Sequence, residues 1–115
     1  MTAFSTINPA TETELAGYDL MSPDTAFDKI DKCHSAFLGW RTNSRAERAP
    51  ILRDIAKVLR SKADEYANLM TEETGKLLRD GKTEVELCAQ IFEYTADHGP
   101  DMLADEERQH GADGK

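Results

Sequence analysis

The sequence predicts a mainly α protein, with a short N-terminal β-hairpin over residues 1–21, three amphipathic helices over 22–104 and a polar tail or loop over 105–115. Three observations carry that reading. Apolar residues recur at steps of three and four from Phe27 onward, capping signals stand at Ser22 and Ser44, and the β-favouring runs fall within the first 21 residues.

Phe4–Ile7 favours a strand, Asn8-Pro9-Ala10-Thr11 carries turn chemistry, and Leu15–Met21 supplies a second strand. A lone two-stranded hairpin is marginally stable, so this one needs a surface to lie on. Ser22 then caps the first helix, with Pro23 at its first position and Asp24 at the positive end of the helix dipole. Phe27, Ile30, Cys33, Phe37 and Trp40 share one face, Asp28, Lys29, Asp31 and Lys32 the other, and Thr42-Asn43 ends the segment. Ser44 and Glu47 have capping-box spacing. The second helix they open runs to about Thr74, with Leu52, Ile55, Ala56, Leu59, Ala63, Tyr66 and Met70 as its stripe and Gly75 as a left-handed cap. Pro50 predicts either a kink or a helix whose regular part begins nearer Arg48. The third helix draws on Leu78, Gly81, Val85, Cys88, Phe92 and Thr95, and Gly99-Pro100 predicts its stop.

Composition excludes several function classes. Twenty-two acidic residues against 14 basic ones give a charge of -8 over 115 residues, and the isoelectric point is near 4.8. Such a field repels a phosphate backbone, which argues against nucleic-acid binding. Mean hydropathy is -0.61, and no apolar run approaches the ~18–20 residues of a membrane span. Residues 1–6 lack the basic-then-apolar pattern of a signal peptide, and two cysteines make no disulfide framework. The expectation is a cytoplasmic protein with reduced thiols.

Candidate chemistry is sparse. Cys33-His34 and Cys88 invite a nucleophile reading, but a thiolate needs a base or a positive field. Neighbours on a helix point about 100° apart, so Cys33 and His34 do not pair, and both cysteines fall on apolar faces that predict a core position. His34, His98 and His110 lack metal-ligand spacing, and Asp101, Asp105, Glu106 and Glu107 lack the glycine of a calcium loop. Glu84, Glu86 and Glu93 read as a solvated helix surface. Thr74-Gly75-Lys76-Leu77 has neither the upstream glycine nor the following hydroxyl of a phosphate loop. No catalytic, cofactor-binding or metal residue is assigned.

Five motifs in register nevertheless resemble one family. Ile7-Asn8-Pro9-Ala10-Thr11 is similar to the opening Asn-Pro-Ala-Thr-Gly-Glu of aldehyde dehydrogenases, with Glu12 where they usually have glycine. Ala36-Phe37-Leu38-Gly39-Trp40 resembles their Ala-Phe-x-x-Trp, and Arg48-Ala49, Leu52, Ile55-Ala56 and Leu59 follow their spacing. Glu73-Thr74-Gly75-Lys76 matches their Glu-x-Gly-Lys, and Tyr94–Leu103 resembles the succinate-semialdehyde dehydrogenase branch.

The resemblance implies the hairpin and opening helices of an α/β cofactor domain, in an enzyme several times longer that uses NAD or NADP. The family's catalytic Cys, general-base Glu and nicotinamide-binding segments lie downstream, and neither Cys33 nor Cys88 matches the nucleophile's motif. The implied partner is the rest of the aldehyde dehydrogenase chain, with exposed apolar faces able to self-associate in its absence. The alternative is a free-standing helical interaction module that binds through Phe27, Phe37 and Trp40 or through Val85 and Phe92.

Overall fold

The computed structural model describes residues 3–108, which form two strands and four helices. β1 (Phe4–Ile7) and β2 (Glu14–Tyr18) pair antiparallel, and the register shifts between Thr6 and Ile7. Phe4 stacks on Tyr18 across the pair at 5.1 Å. Asn8 organises the turn: its Oδ1 accepts from the Ala10 and Thr11 amides at 2.9 and 3.3 Å, while its own amide donates to the Thr13 carbonyl at 2.9 Å. Closing this loop puts Glu12 at φ 58°, the left-handed region that favours glycine.

α1 (Pro23–Trp40) begins as expected, with the Ser22 hydroxyl accepting from the Thr25 amide at 3.2 Å and Pro23 opening the helix. None of its residues is buried. α2 (Arg45–Ser61) opens on a complete capping box: Ser44 N–H donates to Glu47 Oε2 at 2.7 Å and Glu47 N–H to Ser44 Oγ at 3.2 Å. It starts at Arg45, not nearer Arg48, and carries Pro50 within it.

The predicted second helix is two helices. Lys62 leaves helical geometry at φ -112°, ψ 18°, and its amide is shared between the Val58 and Leu59 carbonyls at 3.1 and 3.3 Å. The Ser61 hydroxyl also donates to the Val58 carbonyl at 2.9 Å. Such sharing tightens a last turn and satisfies its carbonyls. α3 (Ala63–Thr74) follows at once and ends on Gly75 at φ 72°, the left-handed cap read from the sequence.

α4 (Leu78–Met102) runs through Gly99-Pro100 instead of stopping there. A proline ring normally clashes with the Cβ and amide of the residue before it, but Gly99 has no Cβ. Pro100 removes the one ladder bond to the Ala96 carbonyl, and only Asp101 and Met102 follow it in the helix. The expected polar tail begins at Asp105 outside any element, and residues 109–115 lie outside the described part.

α4 lies along both α2 and α3, and the seam is built from small residues. Ala49, Ala56, Ala67, Gly81, Val85, Ala89 and Ala96 are buried there. A Cβ placed on Gly81 would come within 3.2 Å of the Ala67 Cα and Cβ.

Two outcomes follow from this geometry. Glu12→Gly relieves a left-handed residue worth about 1–2 kcal/mol, so the Asn8 amide that closes the turn exchanges with deuterium more slowly in the variant. Gly81→Val overfills the α3–α4 contact and destabilises by about 1–3 kcal/mol, read as a lower urea midpoint of the helical dichroism; an unchanged midpoint would show that the helices part freely.

Candidate functional site

The two thiols do not sit in a core. Cys33 and Cys88 are both free and exposed. Cys33 lies on the apolar face of α1, a helix with no buried residue. Cys88 lies at the margin of the seam beside Leu59, Tyr66, Met70 and Val85. His34 packs on Phe37 of its own helix at 6.4 Å, and His98 on Tyr94 at 4.5 Å. Neither imidazole is brought to a thiol. Among the described residues, no group of three or more His, Cys, Asp or Glu is placed to hold a metal ion. His110 lies outside them.

The Gly75-Lys76 pair does not fit a dinucleotide phosphate. The Gly75 amide is spent on the Thr71 carbonyl at 3.0 Å, and the Lys76 ammonium is paired with Glu84. Where α2 begins and α4 ends, Ala49, Leu52, Thr95 and Gly99 help line a cleft of about 110 Å³, below the roughly 300–1,000 Å³ of small-molecule sites. Arg45 and Arg48 border a wider, open depression there. Arg48 is already engaged, lying 5.7 Å over the Trp40 ring and donating to the Arg41 carbonyl at 3.2 Å.

What the sequence reading missed is a line of ion pairs that joins the helices. Glu84, Glu86 and Glu93 are solvated, as expected, but each is also paired with a cation. The Arg60 guanidinium bonds Glu86 at 2.9 and 3.0 Å and bonds both carboxylate oxygens of Glu93. Arg53 reaches Asp97 through two nitrogens at 3.0 and 2.7 Å, and Lys82 reaches Asp64 of α3 at 2.7 Å. These bonds from Arg60 hold the Glu86 and Glu93 carboxyls below the usual carboxylate range and raise Arg60 in turn. The Ser44 amide and hydroxyl lower Glu47 in the same way. The signal was present as spacing: Arg53 and Arg60 are seven apart on α2, and Glu86 and Glu93 are seven apart on α4.

The site is therefore a framework of helices with large apolar residues outside it. Phe27, Ile30, Phe37 and Trp40 of α1 are exposed, as are Ile51, Ile55 and Val58 of α2 and Leu87, Ile91 and Tyr94 of α4. No helix among the described residues is long and apolar enough to cross a membrane.

The family model described as the Aldehyde dehydrogenase family matches residues 1–115. The chain belongs to the aldehyde dehydrogenase family. It is 35% identical over 100 residues to a succinate-semialdehyde dehydrogenase [NADP(+)] of Deinococcus radiodurans, covering 87% of this chain and 21% of that protein. It is 35% identical over 97 residues to the succinate semialdehyde dehydrogenase [NAD(P)+] Sad of Escherichia coli, covering 84% and 21%. The crystal structure of succinic semialdehyde dehydrogenase from Streptococcus pyogenes in complex with NADP+ superposes with a TM-score of 0.87 at 32% identity, covering 96% of this chain and 24% of that one. The chain thus spans about a fifth to a quarter of the length of these aldehyde dehydrogenases.

The Arg60 clamp has a pH signature. Carboxyls lowered in the folded state stabilise it at pH above their unfolded value, near 4.5, and that contribution is lost as pH falls through the lowered folded value. The urea midpoint of the chain drops below pH 4.5, and Arg60→Met shrinks that drop while lowering the midpoint at neutral pH. An identical pH profile in the variant would remove the clamp from the account.

Proposed function

We propose that this chain supplies the N-terminal hairpin and opening helices of the cofactor domain of a cytoplasmic NAD(P)-dependent aldehyde dehydrogenase acting on succinate semialdehyde. Its contribution is a scaffold: it carries neither the nucleophile nor the cofactor clamp. The observation that supports this most is a full-length match to the family by a chain about a fifth as long as its relatives. The substrate class rests on relatives named for succinate semialdehyde and found at 35% identity.

Oxidation of an aldehyde in this way needs a thiolate at the carbonyl and a nicotinamide held at near-attack distance. Positioning alone contributes about 7–11 kcal/mol of such a barrier. Cys33 and Cys88 lie on different helices, and both are free and exposed. Groups elsewhere in the longer protein supply both functions in this reading.

The chain alone is expected to produce no NADH or NADPH from succinate semialdehyde and either oxidised cofactor, followed by absorbance. Joined to the remainder of an aldehyde dehydrogenase, in place of that enzyme's matching segment, it restores turnover. Turnover by the chain alone that disappears in Cys33→Ser or Cys88→Ser would overturn the scaffold reading.

A further inference from the structure

α1 is the one helix of the four that buries none of its residues. At about 100° per residue, Phe27, Ile30, Cys33, Phe37 and Trp40 fall within roughly 140° of one another, and no Asp, Glu, Lys or Arg of the helix falls inside that arc. Phe27, Ile30, Phe37 and Trp40 are 65%, 60%, 51% and 41% exposed, and Cys33 is exposed among them. The charged side chains of α1 are Asp24, Asp28, Lys29, Asp31 and Lys32, and all precede Cys33. The half of the helix from Cys33 to Trp40 carries none.

Area and charge decide what fits this face. A large aromatic side chain has about 150–250 Å² of surface, so the stripe, with Leu38 at its edge, leaves on the order of 500 Å² open on each copy. Two such faces together cover about 1,000 Å², the lower limit of a specific interface. The other exposed faces do not join in one contact. α2 buries Ala49 and Ala56 toward α4, and α4 buries Val85, Ala89 and Ala96 toward α2 and α3. The exposed Ile51, Ile55 and Val58 therefore point to one side of that pair, and Leu87, Ile91 and Tyr94 to the other. The α4 face also carries Asp101, two turns past Tyr94, and a second copy laid there has two carboxylates to bury. Parallel pairing of α1 sets its charged half on a charged half. Antiparallel pairing sets each charged half against the uncharged half of the other copy, with the helix dipoles opposed. The net charge of -8 on each copy acts at long range, and ordinary salt screens it beyond about 8 Å.

We propose that this chain pairs with a second copy of itself through α1, with the two helices antiparallel and Cys33 at the two-fold axis. With the stripes in full overlap the axis passes between residues 33 and 34. Phe27 then lies level with Trp40 of the second copy, and Ile30 with Phe37 of the second copy. Packed helices lie roughly 8–10 Å apart, and their Cα atoms stand about 2.3 Å from each axis. The two Cys33 Cα atoms come about 4–6 Å apart, within the span of a disulfide. Cys88 belongs to α4 and lies outside the pairing. The contact is isologous and closes on a dimer. Such pairing is a property of this chain and stands or falls independently of the enzymatic reading.

The test combines sedimentation of the reduced chain, from about 1 to 100 μM in about 0.15 M salt, with trapping by diamide. Diamide oxidises two thiols to one disulfide and takes up their two hydrogens to become the hydrazine. The dimer fraction is expected to rise with concentration and to stop at two copies. Diamide gives a covalent dimer in the chain and in Cys88→Ser, and at least about tenfold less of it in Cys33→Ser, because only Cys33 meets its own copy. Ile30→Asp places two carboxylates in the contact and weakens the dimer at least about tenfold. Its helical dichroism and urea midpoint in dilute solution stay unchanged, since α1 holds no buried residue. A chain that stays monomeric throughout the range overturns the proposal, as does assembly that continues past a dimer. Covalent dimer from Cys33→Ser at the level of the unsubstituted chain, or a dimer that survives Ile30→Asp, removes α1 from the contact. A lowered urea midpoint in Ile30→Asp overturns it too, by showing that the stripe packs within its own chain.

Discussion

Everything in the helical part depends on how near α4 lies to α2 and α3, and that distance is set by residues with almost no side chain. Ala56, Ala67 and Ala89 are wholly buried, and Gly81 faces Ala67 with no room for another carbon at normal spacing. Such residues bury little apolar area, so their direct hydrophobic contribution is modest, at about 0.8 kcal/mol per buried methylene-sized group. Their effect is geometric. With the backbones close, Arg60 reaches Glu86 and Glu93 together and Arg53 reaches Asp97. Exposed ion pairs stabilise weakly, but the two bidentate pairs of Arg60, with Arg53 on one oxygen of Asp97, oppose sliding of one helix along the other. Small residues set the spacing, and the arginines set the register.

The same seam exposes what the chain lacks. No large side chain is fully buried among the described residues. The radius of gyration is 21.3 Å, where a self-contained domain of this length would have about 13 Å. α1 explains much of the excess. Its caps and periodicity make it a well-specified helix, yet it buries none of its residues. The hairpin is tied in lightly, with Pro9 beside Gly75 at the end of α3. Local sequence signals are satisfied throughout, and the tertiary partner they anticipate is missing.

That distinction separates what was legible in the sequence from what was not. The caps at Ser22, Ser44 and Gly75 were readable because each is settled within four or five residues. The stop assigned to Gly99-Pro100 failed because two breakers in succession are not additive: the glycine removes the Cβ that the proline would strike. The break at Lys62 carries neither proline nor glycine, so it left no mark to read. The cysteines were misplaced for a different reason. Periodicity identifies which face of a helix is apolar, but burial requires a neighbour that covers it, and no residue of α1 is buried. Glu86 and Glu93 were visibly two turns apart on one face, but that Arg60 takes both while Arg53 takes Asp97 became readable only once α2 and α4 were neighbours. As for the site, the family motifs were readable in order, while the exposed Leu87, Ile91 and Tyr94 lay off the single stripe read for the third helix.

Residue sizes on α4 are divided between its two sides. Gly81, Ala89 and Ala96 face the partners that this chain contains, and Leu87, Ile91, Tyr94 and Met102 face outward. Fully burying a large apolar side chain stabilises by about 1.5–3 kcal/mol, several times what an alanine methyl provides. Val85 is the one large residue buried on the inner side, and the four outward residues stay more than half exposed among the described residues. α2 and α3 hold the helix at a defined spacing and register. The seam thus fixes where α4 lies without burying its large outward residues.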